Sequence, residues 1–202
     1  MNELCPTSIE LNIFDGKNIC MSGGAKGADL QWGMCAGKAG HQVIHWSFDG
    51  HRTNAPEAEV VRIPAETLAM ADEYLEVANK TLKRHLSYNK PWIINLLRRN
   101  YFQVGNSQSC YAVSGIKKGM VEGGTAWATQ MYLDLHKDKP ECYVFCQITN
   151  QWHAYVDSQW VVIDAPPSPS GVWAGIGSRD LTKAGKDAIR KLMGYVAPVV
   201  NN

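Results

Sequence analysis

Short apolar runs ending in glycine or small polar residues alternate along this chain with longer stretches whose apolar positions recur at helical spacing. KNICMSGG, residues 17–24, has the pattern of a buried strand entering a tight turn. The spacing predicts a helix over 27–39, with Leu30, Met34 and Ala36 on one face and Gly40 as its stop. HQVIHWSF (41–48) is the next strand, and the polar stretch 49–62 reads as a loop beside a site. Pro64 opens a helical stretch, AETLAMADEYLEVANKTLKR, in which Leu68, Leu75 and Leu82 share a face. Asn89-Lys90-Pro91 breaks it, and PWIINLLRRNYFQV is a further helix. SCYAVSG (109–115) is a strand, EGGTAWATQMYLDLHK a glycine turn with its helix, and ECYVFCQ another strand. QWHAYV and QWVVID form a β-hairpin around Asp157 and Ser158, and APPSPSG (165–171) is a connector. VWAGIGSR closes the pattern as a strand and glycine turn, followed by a helix from Thr182 to about 195.

Strands separated by helices predict an α/β, Rossmann-like fold. Its sheet is mostly parallel with helices on both faces, a small β-hairpin follows residue 150, and residues 1–202 make one domain. Composition narrows the function classes. Twenty Lys+Arg against nineteen Asp+Glu leave a formal charge of +1, which argues against an electrostatic nucleic-acid binder. No apolar run approaches the about 20 residues of a membrane span, and MNELCPTSIELN lacks the basic-then-apolar order of a signal peptide. The six cysteines are scattered without a CxxC pair, as expected of buried reduced thiols in a cytoplasmic protein with no metal site. His45, His51 and His153 have no metal spacing and read as structural or solvent-facing.

The informative feature is that three strands end in small-residue turns feeding helices: SGGAKGAD (22–29), EGGTAWAT (122–129) and GIGSRD (175–180). In a parallel sheet these turns share the edge at the strands' carboxyl ends, where ligands bind. Glycines let a backbone approach a phosphate, and helix-start amides favour the anion. The ligand-contact candidates are Ser22, Gly23, Gly24, Ala25, Lys26 and Asp29 in the first turn; Gly123, Gly124, Thr125, Trp127 and Gln130 in the second; and Gly175, Gly177, Ser178 and Arg179 in the third, with Ser22, Thr125 and Ser178 as hydroxyl donors. Arg99 and Arg179 are the guanidinium candidates for phosphate. Trp46 and Phe48, at the end of the second strand, are aromatic candidates for a base, and Trp127 either stacks on a base or fills core. Asp29 and Asp180 sit at helix starts, where capping is the plainer role. None of the turns is a Walker loop or a GxGxxG.

SGGAKGAD, WAGIGSR and GGTAWA resemble the SLOG superfamily of Rossmann-like proteins. That superfamily includes the DprA/Smf DNA-processing proteins, the LOG cytokinin-activating phosphoribohydrolases and sensor domains for NAD-derived signals. The specific resemblance is to a DprA-like group often found in phage genomes. It runs over nearly the whole chain, carried by the three turns and the helix with Arg99. In the usual family order the GxGSR strand precedes the SGGAxGAD strand, whereas here GIGSR comes last, which looks like a circular permutation. That permutation implies that the helix end near Val196 lies close to the segment before Lys17.

The LOG enzymes pair an Arg-Lys helix with a PGGxGTxxE strand end. Laid on that pattern, Arg99 stands at the arginine, Asn100 at the lysine, Glu122 at the proline, and Gln130 at the glutamate that acts on the N-glycosidic bond. An amide does not titrate, so Gln130 cannot serve as acid or base, though it can hydrogen-bond a ribose. Glu122, Arg99 and Asp29 are the remaining catalytic candidates.

The resemblance, with its missing glutamate, implies a binder of a small nucleotide derivative of the ADP-ribose or cyclic ADP-ribose kind, with no other cofactor required. In a phage, whose protein would act in the host cytoplasm, sequestering a host defence signal is a natural use. The alternatives are a hydrolase of a nucleotide N-glycosidic or phosphate bond, and a DprA-like single-stranded DNA binder supported by Lys83-Arg84, Arg98-Arg99 and Lys117-Lys118. Relatives dimerise through helices flanking the site, so PWIINLLRRNYF is the expected contact of a homo-oligomer. Trp152 and Trp160 suit hairpin packing or an oligomer interface.

Overall fold

The computed structural model describes residues 18–195. Chain order is β1 (Ile19–Ser22), α1 (Ala28–Lys38), β2 (Gln42–Phe48), a 3-10 turn (Glu57–Glu59), β3 (Val60–Ile63), α2 (Ala65–Ala69), α3 (Asp72–Leu82) and α4 (Pro91–Val104). There follow β4 (Ser109–Ser114), β5 (Ile116–Lys117), β6 (Met120–Val121), α5 (Thr125–Leu135), β7 (Cys142–Cys146), β8 (Gln151–Val156), β9 (Gln159–Ile163), β10 (Val172–Gly177) and α6 (Lys183–Leu192).

Eight strands form one sheet in the order β3-β2-β1-β10-β4-β7-β8-β9. Neighbours from β3 to β7 are parallel; β8 and β9 add antiparallel pairs. The last strand in sequence is therefore central: Ala174 pairs with Met21 of β1 and with Cys110 of β4. One face is covered by α1 and α6, whose Trp32, Cys35 and Ile189 pack with Trp173 and Tyr111. The other carries α3, α4 and α5 through Leu75, Ile94, Phe102 and Met131. β10 feeds α6 on the first face while its neighbour β4 leads to α5 on the second, so a crevice opens between them at the carboxyl edge.

Several boundaries differ from the sequence expectation. The stretch 49–62 is a loop only at first; VVRI pairs with β2, although charge and proline on both sides hide it as a strand. The helical stretch after Pro64 is two helices, because Met70 and Ala71 turn the chain so that Leu68 and Leu75 both reach the core. On α1 the buried face holds Ala28, Trp32, Cys35 and Ala36, while Met34 is exposed: Trp32 takes the sheet side, and the tryptophan sets the rotation. The segment after β4 folds as the two-stranded β5–β6 hairpin. The β8–β9 hairpin turns at Asp157 and Ser158, both at positive φ (48° and 64°), the signature of a type I′ turn. The expected proximity of the permuted ends lies outside the described residues. The five cysteines among the described residues are buried free thiols. No helix among the described residues is long and apolar enough to cross a membrane.

Candidate functional site

The first and third turns are fastened to each other. Gly177 N donates to Asp29 Oδ1 at 3.0 Å, and Ala28 N donates to Ser178 O at 3.0 Å. Gly27 has φ 106°, and a Cβ there would lie 2.4 Å from Arg179 O, so the close crossing of the two turns requires glycine. The Ser22 hydroxyl lies 2.6 Å from Gly175 O and 2.9 Å from Asp29 O and is fully buried; it joins strands and offers nothing to a ligand. Gly175 is buried too, where a Cβ would meet Trp32 at 2.7 Å. Because the first amide of α1 is taken by Ser178, that helix start is not the open anion cradle expected from its glycines.

Asp29 does not cap α1. Its Oδ2 accepts from Arg99 Nη2 at 3.1 Å and from Gln103 Nε2 at 3.4 Å, with the aspartate and arginine side chains each 6% exposed. Burial pushes the Asp29 carboxyl above its ordinary range, opposed by Arg99, Gln103 and the Gly177 amide. Burial likewise draws Arg99 down. Arg99 Nη1 donates to Gly23 O at 3.0 Å and reaches His51 Nε2 at 3.0 Å. Since guanidinium only donates, His51 Nε2 accepts, its proton sits on Nδ1, and that N–H points to Ser47 Oγ at 3.0 Å. Burial first, then Arg99 and Arg179, hold His51 down at about 4. Gly23 sits against this network, and Gly24 O accepts from Thr53 Oγ1 at 2.8 Å and Asn54 N at 3.3 Å. A strap over residues 51–54 thus covers the two glycines that sequence assigned to ligand.

The open part is a cleft of about 740 Å³ at the carboxyl edge, within the usual size of a small-molecule site. All three turns reach it: Ala25, Lys26 and Asp29; Glu122, Gly123, Gly124 and Thr125; Gly177, Ser178, Arg179 and Asp180. Arg99 lines its floor, and Ile93, Leu96 and Leu97 of α4 make an apolar wall with Ile148 and Ile176. Lys26 and Arg179 are exposed there. The second turn is braced from behind, where Arg84 Nη1 donates to Gly123 O at 2.8 Å and Asn100 Nδ2 to Gly124 O at 3.3 Å. Glu122 pairs with Lys117 at 2.9 Å across the β5–β6 hairpin. Gln147, just past β7, pins the third turn: its Oε1 accepts from Thr182 N at 2.7 Å and its Nε2 donates to Asp180 O at 3.1 Å. Thr182, not Asp180, caps α6.

Other candidates stand elsewhere. Trp46 is 1% exposed and packs on Phe102, and Phe48 is buried between His51 and Trp92. Trp127 fills core at 5% exposure, and Gln130 donates to Asp134 Oδ1 at 2.9 Å; neither lines the cleft. The basic pairs are largely engaged internally: Arg84 on backbone carbonyls, Arg98 on Asp72, Arg99 on Asp29 and Lys117 on Glu122. His51, read as structural or solvent-facing, is structural, bridging Ser47 and Arg99. Sequence reasoning missed Gln103 and Gln147; Gln147 had a readable signal, a polar residue at a strand's carboxyl end, whereas Gln103 is recruited by packing.

No family model matches the chain, and no curated protein matches it. Among solved structures, the chain is similar to a "Putative molybdenum carrier protein" from Syntrophus aciditrophicus SB, with a TM-score of 0.49 and 16% identity over 89% of this chain and 94% of that one.

Proposed function

We propose that the cleft binds a small phosphate-bearing nucleotide derivative of the ADP-ribose or cyclic ADP-ribose class and holds it without cleaving it. The observation that carries this reading is the convergence of all three turns on one cleft between β10 and β4, polar and cationic at Lys26 and Arg179 and apolar along α4. Phosphate oxygens suit the guanidinium of Arg179, the ammonium of Lys26 and the first-turn amides of α5; a base or ribose face suits Leu96, Leu97 and Ile148. Binding without hydrolysis is supported by Asp29, whose carboxylate is consumed by Arg99, Gln103 and Gly177, and by Gln130, which points to Asp134. The central place of β10 between β1 and β4 supports a permuted SLOG unit, to which the cleft belongs.

Calorimetry against NAD, ADP-ribose, cyclic ADP-ribose isomers and cyclic nucleotides tests this, with one of these expected to bind. Silence from all of them at high micromolar concentration refutes it. Glu122, a carboxylate on the cleft wall, favours hydrolysis as a second reading. Chromatography after incubation with AMP, NAD and ADP-ribose separates the two. Product that appears with the natural protein and vanishes in Glu122→Gln selects the enzyme.

A further inference from the structure

The two edges of the eight-stranded sheet are built differently. At β3, Arg62 is exposed and ion-paired to Glu57, and Pro56 and Pro64 flank the segment. Charged side chains and prolines are the means by which natural edge strands refuse another strand. Within β9 itself there is neither, Asp164, Pro166 and Pro167 coming only after its last residue. Gln159–Ile163 reads QWVVI, and Val161 and Val162, on opposite faces, are 45% and 52% exposed.

The backbone of β9 is set up for a particular register. The two-residue type I′ turn makes Val156 and Gln159 a hydrogen-bonded pair, and such pairs alternate along the hairpin. Gln159, Val161 and Ile163 therefore direct their N–H and C=O groups to β8, and Trp160 and Val162 direct theirs outward. An antiparallel partner centred with Val161 opposite its own copy sets Trp160 against Val162 twice. Those are the residues with outward groups, so each pair exchanges two N–H···O bonds. The same register puts Gln159 opposite Ile163, Ser158 opposite Asp164 and Asp157 opposite Ala165, so no like charges face each other. A strand that is its own complement about one point is the requirement for a twofold interface.

We propose that a second copy of this chain adds antiparallel across β9, about a twofold axis at Val161, joining the two sheets into one continuous sheet. The cleft lies between β10 and β4, away from this edge, so the interface is independent of what the cleft binds.

Light scattering after gel filtration of the full chain, at micromolar concentration, tests the assembly, with a dimer expected. Val162→Pro removes only an outward donor and leaves the β8 ladder intact; Val161→Lys sets two ammonium groups face to face. Both variants are expected to run as monomers with unchanged circular dichroism. In a Cys5→Ser background, Val161→Cys is expected to give a covalent dimer on oxidation, since cysteines facing each other in a non-hydrogen-bonded antiparallel pair are within bridging reach. The covalent dimer keeps the test decisive should either first variant misfold. A monomeric natural protein overturns the proposal. So does a dimer that survives both substitutions, which would place the contact elsewhere, as on the α4 face.

Discussion

Asp29 Oδ2 and Arg99 Nη2 meet at 3.1 Å inside the protein, linking the start of α1 to the middle of α4, while the other carboxylate oxygen holds the amide of Gly177. One carboxylate thus ties β10, α1 and α4 together beneath the cleft.

Removing either partner leaves the other buried without its counter-charge. Asp29→Ala and Arg99→Ala are each expected to cost about 3–5 kcal/mol in urea unfolding. Arg99→Lys should not rescue, because an ammonium cannot reach Asp29, Gly23 and His51 together. A loss below about 1 kcal/mol in both alanine variants would show the pair to be incidental.

Two glycines with positive φ should respond differently to alanine. At Gly27 (φ 106°) the new Cβ meets Arg179 O at 2.4 Å, so the turns must separate, with a cost above about 2 kcal/mol. At Gly40 (φ 82°) nothing lies within 4 Å, leaving only the backbone penalty of about 1 kcal/mol. Equal thermal shifts in the two variants would contradict the crossing of the turns.

His45 and His51 are both held at about 4 by burial first and then by Arg99, with Arg179 adding to His51. Their folded values lie below the unfolded value of 6.5, so the unfolded chain binds more protons between about 4 and 6.5. The stability they contribute is complete above that window and is lost as pH falls through it, by about 1.4 kcal/mol per pH unit for each histidine. Urea midpoints measured across this range report the slope. Nitrogen NMR should find His51 protonated on Nδ1 alone at neutral pH; a titration near 6.5 would contradict the Arg99 contact.

Arg179 is the guanidinium that remains exposed on the cleft, and its truncation should touch binding but not folding. Arg179→Ala is expected to weaken nucleotide affinity roughly 10- to 100-fold, the worth of a charged hydrogen bond, with an unchanged melting temperature. Gln130→Ala should leave affinity as it was, since Gln130 bonds Asp134 away from the cleft. An affinity loss at Gln130 would move the site.

The alternation of apolar runs, glycines and amphipathic stretches placed β1, β4, β7, β10 and the helices after their turns, because those preferences act among adjacent residues. It likewise located the three turns that line the cleft. What neighbours in sequence could not convey was direction and partnership. Asp29 looked like a cap because Arg99 and Gln103, 70 and 74 positions away, are absent from its local context. Trp46 looked like a base platform, and Trp127 stood open between base and core, because composition does not say which face of a strand or helix meets the core. Gly23 and Gly24 looked open because Thr53 and Asn54, which close a strap over them, are distant in sequence and are carried there by the loop between β2 and β3. Local conformational preference set where the chain turns; burial, which rewards whatever apolar surface the assembled sheet and helices can cover, decided which of those turns stayed open.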